Sequence, residues 1–415
     1  MSPFQAVIEK TRDSVSSRRK LSSHSSHVQA LEALQEQVLQ GLNLIAAEAD
    51  SLPENLPKVL EQRKRDLFRA MNALDLFHKR ANASSFERIL TLLTQDIGIP
   101  QAHDRKTLHY EADEFHLKDL ATFAGFPHGF SPPDLGTEKA NLAMRALAIV
   151  KLDLVGIPAS EVDNCLAWGL LYHEYMHRSG LPANLYISCG SSAARAISSI
   201  WAYKSELFTD LSALLVLGPA YGYALSQAPD KFGHHPGSLH PSAPLRFWLT
   251  REVLKVMGKT LTSKRRGNML ARELIKRAVA AIPNSKTGLS QAEKEFMAKA
   301  APEISSWVKQ GRIVISELGG ETWDDALRRL VTGPDNYYRW QEEGAIVRDV
   351  PKLLRNGILP AAPPRMALNL ALLASQGDQS LPEISADVLR SATSSAISRG
   401  SVLEKARTGD ARKSD

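Results

Sequence analysis

His173 and His177 stand four residues apart and enclose Glu174, in the sequence His-Glu-Tyr-Met-His. Residues four apart lie on the same face of an α-helix, so both imidazoles can bind one zinc ion. Glu174 lies about 100° around the helix from His173, close enough to accept a proton from a zinc-bound water. The pattern therefore predicts a hydrolytic zinc site with Glu174 as the catalytic base.

A chance occurrence of this motif is the plainer alternative. With 12 histidines in 415 residues, the H-E-x-x-H pattern arises by chance in roughly one chain in fifty, a general risk of short motifs. His173 and His177 would then be ordinary histidines of a buried core. The residues below them on the same helical face are apolar or small, namely Leu166, Gly169 and Leu170. A buried face is thus expected on either interpretation.

A catalytic zinc site needs a third protein ligand and an open position. The extended motif H-E-x-x-H-x-x-G-x-x-H is broken, because Ala183 stands where its last histidine belongs. Glu206 and Asp210 lie one helical turn apart in an apolar stretch, where two buried carboxylates are costly without a cation. Glu206 as a ligand and Asp210 as an acceptor for an imidazole N–H would explain both. The other candidates for the third ligand are His234, His235 and His240. No predicted helix positions their side chains.

Three elements must position these residues. The segment 148–157 is rich in β-branched and apolar residues and predicts a strand. A helix is expected to begin at Ser160, whose spacing to Asp163 is that of a capping box, and to end at Gly180. A second helix, which carries Glu206 and Asp210, is expected over about 192–217, where Gly218-Pro219 ends it.

The composition limits the classes of protein to consider. A net charge of +6 in a chain of this length is too small to indicate a nucleic-acid or membrane-surface partner. Two cysteines cannot form a disulfide framework, so a reducing compartment is expected. The N-terminus has no apolar signal core, and no stretch approaches 18 uninterrupted apolar residues. The sequence therefore predicts a soluble cytoplasmic protein without a membrane span.

The order and spacing of these residues resemble those of a known class of enzymes. H-E-x-x-H followed by E-x-x-x-D is similar to the gluzincin class of zinc metallopeptidases. The run from His240 to Arg246, His-Pro-Ser-Ala-Pro-Leu-Arg, resembles the H-P-x-x-x-x-R stretch of the M48-type membrane-associated and cytosolic peptidases. The resemblance covers about residues 148–250, which is less than a third of the chain.

The resemblance implies a role for each matching residue. The zinc ligands and the base would be His173, His177, Glu206 and Glu174. Asp210 would orient a ligand histidine, His240 would lie near the scissile carbonyl, and Arg246 would hold a carboxylate of the site. The chain departs from the family in having no membrane spans and in its flanking helical regions. The substrate of the M48-type enzymes is therefore not implied.

Plainer roles stay open for several of these residues. Asp210 can be a surface carboxylate, His240 a structural loop histidine, and Arg246 a solvent-facing residue of an amphipathic helix. Tyr221 and Tyr223 follow the second helix and can either stabilise a developing oxyanion or simply pack.

The expected fold is mainly α, with a zincin-like catalytic core that contains a small β-sheet or edge strand. Helical regions flank this core on both sides. The predicted segments are a disordered leader (1–27), an N-terminal helical region (28–124), the catalytic core (125–260), a C-terminal helical region (261–400) and a flexible tail (401–415).

Three classes of function follow from these features. The first is a zinc-dependent peptidase that acts on a protein or peptide substrate, with a non-peptide amide hydrolase as a variant. The second is a zinc-binding regulatory or scaffold protein without turnover, against which an intact Glu174 argues. The third is a nucleic-acid-binding helical protein with an accidental motif, which would require a clustered basic face.

Overall fold

The structure is a computed structural model. It describes residues 106–112, 115–119, 152–227, 240–261, 268–332, 343–359, 361–375 and 385–411, together with Ile89, Leu92, Leu93 and Asp96. The predicted leader (1–27), most of the predicted N-terminal helical region (28–124), His234 and His235 lie outside the described residues.

Three strands form a small sheet. Their bounds are β1 (Lys106–Ala112), β2 (His116–Asp119) and β3 (Leu152–Pro158), and their order in the sheet is β1-β3-β2. The strand β3 ends one residue after the predicted end of segment 148–157 and begins four residues after its predicted start. Its last four residues, from Val155 to Pro158, are buried, as expected for a strand of apolar residues that packs on a core.

The segment after β3 corrects the prediction of one helix from Ser160 to Gly180. It contains two 3₁₀ turns, Ala159–Glu161 and Ala167–Leu170, and one short helix, α1 (Leu171–Met176). The hydroxyl of Ser160 donates to the carboxylate of Glu161 at 3.2 Å and caps no helix. The capping-box pattern was therefore misleading, because its serine is engaged by the neighbouring side chain.

The second predicted helix is divided in the structure. The elements are α2 (Leu181–Ile197), a 3₁₀ helix (Ser198–Tyr203), α3 (Lys204–Leu217) and α4 (Pro219–Gln227). Gly190 has a left-handed φ of 56° inside α2, and Ile200 leaves the helical region with φ of −134°. The predicted end at Gly218-Pro219 is confirmed, and a helical stretch follows the kink at Gly190 near the predicted start, but the prediction of one continuous helix is wrong because the 3₁₀ helix interrupts it.

Helices also dominate the described residues that follow, and the prediction of a mainly α fold is confirmed. Their bounds are α5 (Ala243–Thr260), α6 (Asn268–Ala281), α7 (Gln291–Ala300), α8 (Ile304–Glu317), α9 (Trp323–Thr332), α10 (Glu343–Arg355), α11 (Pro364–Ser375) and α12 (Ala386–Ala411). The helix α12 continues well into the segment predicted as a flexible tail (401–415).

The chain divides into two compact units. One comprises residues 1–83, 105–110 and 117–155, and the other comprises residues 84–104, 111–116 and 156–415. The helices α1 to α12 all belong to the second unit. Most of the predicted catalytic core and the predicted C-terminal helical region therefore pack together in one unit.

The helix α3 lies at the centre of this second unit. Every residue from Leu207 to Leu217 is buried, and the helix packs against α1, α2, α4 and α5. Phe208 contacts Trp307 of α8 with 5.7 Å between the ring centroids. Burial of one such aromatic side chain stabilises the fold by about 1.5–3 kcal/mol. The two carboxylates predicted for this helix are thus carried by a rigid, deeply packed element.

No helix among the described residues combines the length and apolar character that a bilayer crossing requires.

The two cysteines allow a test of this packing. Cys165 and Cys189 are free and buried, and burial raises the pKa of both thiols to about 12. Only a thiolate attacks Ellman's reagent, so Cys165 is expected to stay unreactive at neutral pH in the folded protein and to react fully in denaturant. The variant Cys165→Ala should leave the number of fast-reacting native thiols unchanged. A drop in that number would contradict the buried position of Cys165.

Candidate metal centre

The helices α1 and α3 bring the three predicted zinc ligands together. His173 lies within α1, and His177 directly follows it with a helical backbone. Glu206 lies in the first turn of α3. One ligand atom from each residue lies within 4.8 Å of the others. The structure therefore places together the ligand set that the sequence predicts.

The distances among these atoms fit a tetrahedral ion. The Nε2 atoms of His173 and His177 lie 3.1 Å apart. The carboxylate of Glu206 places Oε2 at 3.1 Å from His173 Nε2 and Oε1 at 3.5 Å from His177 Nε2. Zinc binds nitrogen and oxygen at about 2.0–2.1 Å, so tetrahedral ligand atoms lie about 3.3–3.4 Å apart. Two imidazoles and a carboxylate in this arrangement could hold zinc.

A glycine allows α4 to reach the site. A Cβ atom at Gly169 would lie 2.9 Å from Ala224 Cβ and 3.1 Å from the carbonyl oxygen of Ala220, both on α4. Such contacts are closer than a side chain tolerates, so glycine permits the close packing. The approach places Tyr221 of α4 beside His173, with 3.3 Å between the tyrosine oxygen and Nδ1.

Asp210 orients His173 from the side opposite the candidate ion. Its Oδ1 lies 2.8 Å from His173 Nδ1, so the imidazole presents Nε2 to the ligand cluster. The side chain of Asp210 is fully buried, which rules out the alternative of a surface carboxylate. A carboxylate that accepts from a ligand histidine fixes the ring and raises its basicity.

Arg246 compensates the charge of Asp210. The guanidinium donates through Nε to Oδ2 at 2.8 Å and through Nη2 to Oδ1 at 2.6 Å, and the hydroxyl of Tyr221 also donates to Oδ1. Arg246 is 1% exposed, so the alternative of a solvent-facing arginine is wrong. Burial opposes ionisation of Asp210, but the charge of Arg246 and the hydrogen bond to His173 outweigh it and lower the pKa of Asp210.

The electrostatics of the ligand cluster favour a cation. Burial lowers the pKa of His173, but hydrogen bonds to Asp210 and Glu206 outweigh it and raise the pKa to about 9. Burial also works against ionisation of Glu206, yet hydrogen bonds to His173 and His240 lower its pKa well below the usual range. Because Arg246 already compensates Asp210, Glu206 is the remaining negative group beside the imidazoles, and a bound cation would balance it.

Glu174 is buried beside these charges. Burial raises the pKa of its carboxyl to about 7, with His173 lowering and Glu206 raising it by smaller amounts. A general base works best when its pKa lies near the operating pH. The position on α1 and this pKa suit the role predicted for Glu174.

His240 lies at the rim of the cluster. Its Nδ1 is 3.1 Å from Oε2 of Glu206, and its side chain is 36% exposed. The resemblance implies a position near the scissile carbonyl. The structure places His240 next to a predicted ligand, where a half-exposed imidazole can contact a substrate that approaches from solvent.

Two contacts escaped the sequence analysis. The hydroxyl of Thr209 lies 3.4 Å from Nδ1 of His177, and Tyr221 binds Asp210 instead of facing the site as an oxyanion donor. The sequence contains one indication that Thr209 lies at the site: it is a hydroxyl residue between Glu206 and Asp210 on the same apolar helix. Tyr221 was a candidate from the sequence, but its contact with Asp210 could not be predicted, because that contact depends on how α4 packs against α3.

The helix α11 supports the centre from a distant part of the sequence. Asn369 donates from Nδ2 to the carbonyl oxygen of Leu217 at 2.7 Å and accepts at Oδ1 from the amide of Ala220 at 3.2 Å. One side chain therefore bridges the end of α3 and the start of α4. This bridge stabilises the break at Gly218, where α3 ends and α4 begins.

One turn earlier on α11, Arg365 forms a second support. Its Nε donates to Oδ2 of Asp96 at 3.0 Å, and the hydroxyl of Tyr172 donates to the same oxygen at 2.8 Å. Tyr172 directly precedes His173 on α1. The position of the first histidine is thus tied to α11 through Asp96.

Comparison of the chain with models of protein families, with curated protein sequences and with solved structures finds no match. Function is a property of sites and can be argued from their chemistry. The functional argument therefore rests on the geometry and charges of the metal centre itself.

Proposed function

We propose that this protein is a zinc-dependent hydrolase that cleaves peptide bonds. The observation that carries the proposal is the convergence of three ligand atoms at tetrahedral spacing, with Glu174 buried beside them. Two histidines and one glutamate are a ligand set that catalytic zinc uses in peptidases. The gluzincin resemblance supports the same reaction class.

The proposed roles follow from the contacts. When bound, zinc lowers the pKa of a water ligand to about 7 and polarises a substrate carbonyl. Glu174 accepts the proton of the attacking water and returns it to the leaving nitrogen. Asp210 holds His173 in the ligating orientation, and Arg246 keeps Asp210 ionised. His240 lies at the rim, where it can hydrogen-bond to the substrate.

Turnover is favoured over a scaffold role by one specific observation. A zinc ligand set alone would serve a structural site, and such a site has no use for a base. Glu174 is 5% exposed and directly follows the predicted ligand His173, and burial raises the pKa of its carboxyl group. Holding an ionisable group in this state is costly, which supports a role in proton transfer.

The metal itself is the first test. The purified protein is expected to contain one zinc per chain by plasma emission spectroscopy, and Glu206→Gln is expected to lose it, because a neutral amide is a far weaker ligand than a carboxylate. The matched control is Glu252→Gln, which changes a glutamate on α5 that is 33% exposed and pairs with Lys255 instead of a metal-centre residue. Retention of full zinc by Glu206→Gln would contradict the ligand assignment.

The same preparations test hydrolysis. The zinc-loaded protein is incubated with a cell lysate, and new peptide N-termini are identified by mass spectrometry. We expect new termini with the wild type, none after treatment with a chelator, and recovery on addition of zinc. Termini that persist unchanged in the chelated sample would contradict a zinc-dependent peptidase.

A further inference from the structure

We propose that Thr209 is a positioning residue that fixes the tautomer of His177 so that Nε2 faces the metal. This proposal rests on the proposed zinc site. His173 has a carboxylate behind its Nδ1, whereas in the part of the chain that the structure describes no carboxylate hydrogen-bonds to Nδ1 of His177. The hydroxyl of Thr209 lies 3.4 Å from that atom. The two ligand histidines are therefore oriented by different chemical groups.

The hydroxyl proton of Thr209 is already engaged. Thr209 Oγ1 lies 2.8 Å from the carbonyl oxygen of Ser205, one turn earlier on α3. A carbonyl can only accept, so the single hydroxyl proton points towards Ser205. Towards His177 the same oxygen can then only accept. A hydrogen bond between the two side chains consequently requires the proton of His177 to be on Nδ1.

The proton on Nδ1 determines what Nε2 can do. In a neutral imidazole one nitrogen donates and the other offers a lone pair. With Nδ1 protonated, the lone pair lies on Nε2, the atom 3.1 Å from Nε2 of His173 and 3.5 Å from Oε1 of Glu206. Thr209 thus selects the tautomer that can bind the ion.

Packing alone is the competing explanation. Thr209 is fully buried, and a hydroxyl that bonds to the carbonyl four residues earlier is common in helices. The methyl group and the bond to Ser205 could account for the residue without any role for His177. The two explanations differ in whether the hydroxyl or the shape of the side chain matters for the metal.

Two substitutions separate them. Thr209→Val keeps the branched shape and removes the hydroxyl, whereas Thr209→Ser keeps the hydroxyl and removes the methyl group. Partners behind ligand histidines typically contribute about 10–100-fold to metal affinity. We expect zinc to bind Thr209→Val about 10–100-fold more weakly than the wild type, and Thr209→Ser to bind within a few-fold of it. The measurement is competition with a chromogenic chelator at a temperature well below the unfolding of each variant.

Either of two results overturns the proposal. One is equal zinc affinity of Thr209→Val and the wild type. The other is an equal loss in Thr209→Val and Thr209→Ser, which would assign the effect to packing. If the wild-type protein binds no zinc, the result contradicts the proposed function itself, and with it the role of Thr209.

A second measurement does not require zinc or activity. Nitrogen chemical shifts of ¹⁵N-labelled histidine report which ring nitrogen carries the proton, with His177→Gln to assign the signal. We expect the Nδ1–H form of His177 in metal-free wild type and in Thr209→Ser, and a shift towards the Nε2–H form in Thr209→Val. An Nε2–H tautomer in the wild type would overturn the proposal even if zinc binds as expected.

Discussion

Replacing Glu174 with glutamine is expected to slow hydrolysis by about 10²–10⁴-fold, the usual contribution of a positioned general base. Glutamine keeps the size and reach of the side chain but cannot accept a proton from water. None of the proposed zinc ligands is changed. The zinc content and the melting temperature of Glu174→Gln should therefore stay close to those of the wild type.

The measurement is N-terminal profiling of a cell lysate treated with equal amounts of zinc-loaded wild type and Glu174→Gln. Termini that appear with the wild type and are missing with the variant would support the base. The control is His240→Gln, which changes a rim residue and should retain more activity than Glu174→Gln. Equal numbers of new termini with Glu174→Gln and wild type would exclude Glu174 as the base.

The second large effect concerns the stability of the buried ion pair. Replacing Arg246 with methionine keeps much of the apolar stem but leaves the fully buried Asp210 without the guanidinium that compensates its charge. Removal of one partner of a buried ion pair typically costs about 3–5 kcal/mol. The free energy of unfolding of Arg246→Met is expected to fall by this amount, measured by urea denaturation of the metal-free protein.

The double variant Arg246→Met with Asp210→Asn provides the control. It removes both charges, so it should recover part of the stability lost in Arg246→Met. Residues in direct contact are expected to show such coupling, which a double-mutant cycle measures. A single variant as stable as the wild type, or a double variant less stable than the sum of the two single changes, would contradict the proposed charge compensation.

The cluster of proposed metal ligands could be predicted because much of its geometry is local. The spacing of His173 and His177, and that of Glu206 and Asp210, is fixed by the pitch of a helix. Their types also limit the chemistry, since carboxylates in an apolar helix require charge compensation, which Arg246 provides for Asp210. The two helices meet through a tertiary contact. The sequence indicated this contact only because a catalytic zinc site needs a third protein ligand, which the first helix does not provide.

Other features were beyond local patterns. The spacing from Ser160 to Asp163 indicated a helix start, yet a neighbouring side chain engages the serine and the chain forms 3₁₀ turns. The burial of Arg246 depends on Asp210, which is 36 residues away in the sequence. Thr209 was missed because its role depends on the ring orientation of His177.

The supports from α11 limit how the metal centre could be transferred to another protein. A graft of residues 125–260 would separate Leu217, Ala220 and Tyr172 from the side chains that hold them. Each buried polar group left without a partner costs about 1–3 kcal/mol. A designer who wished to transplant the site would have to bring both α11 and Asp96, or build a new amide bridge and a new acceptor in the host.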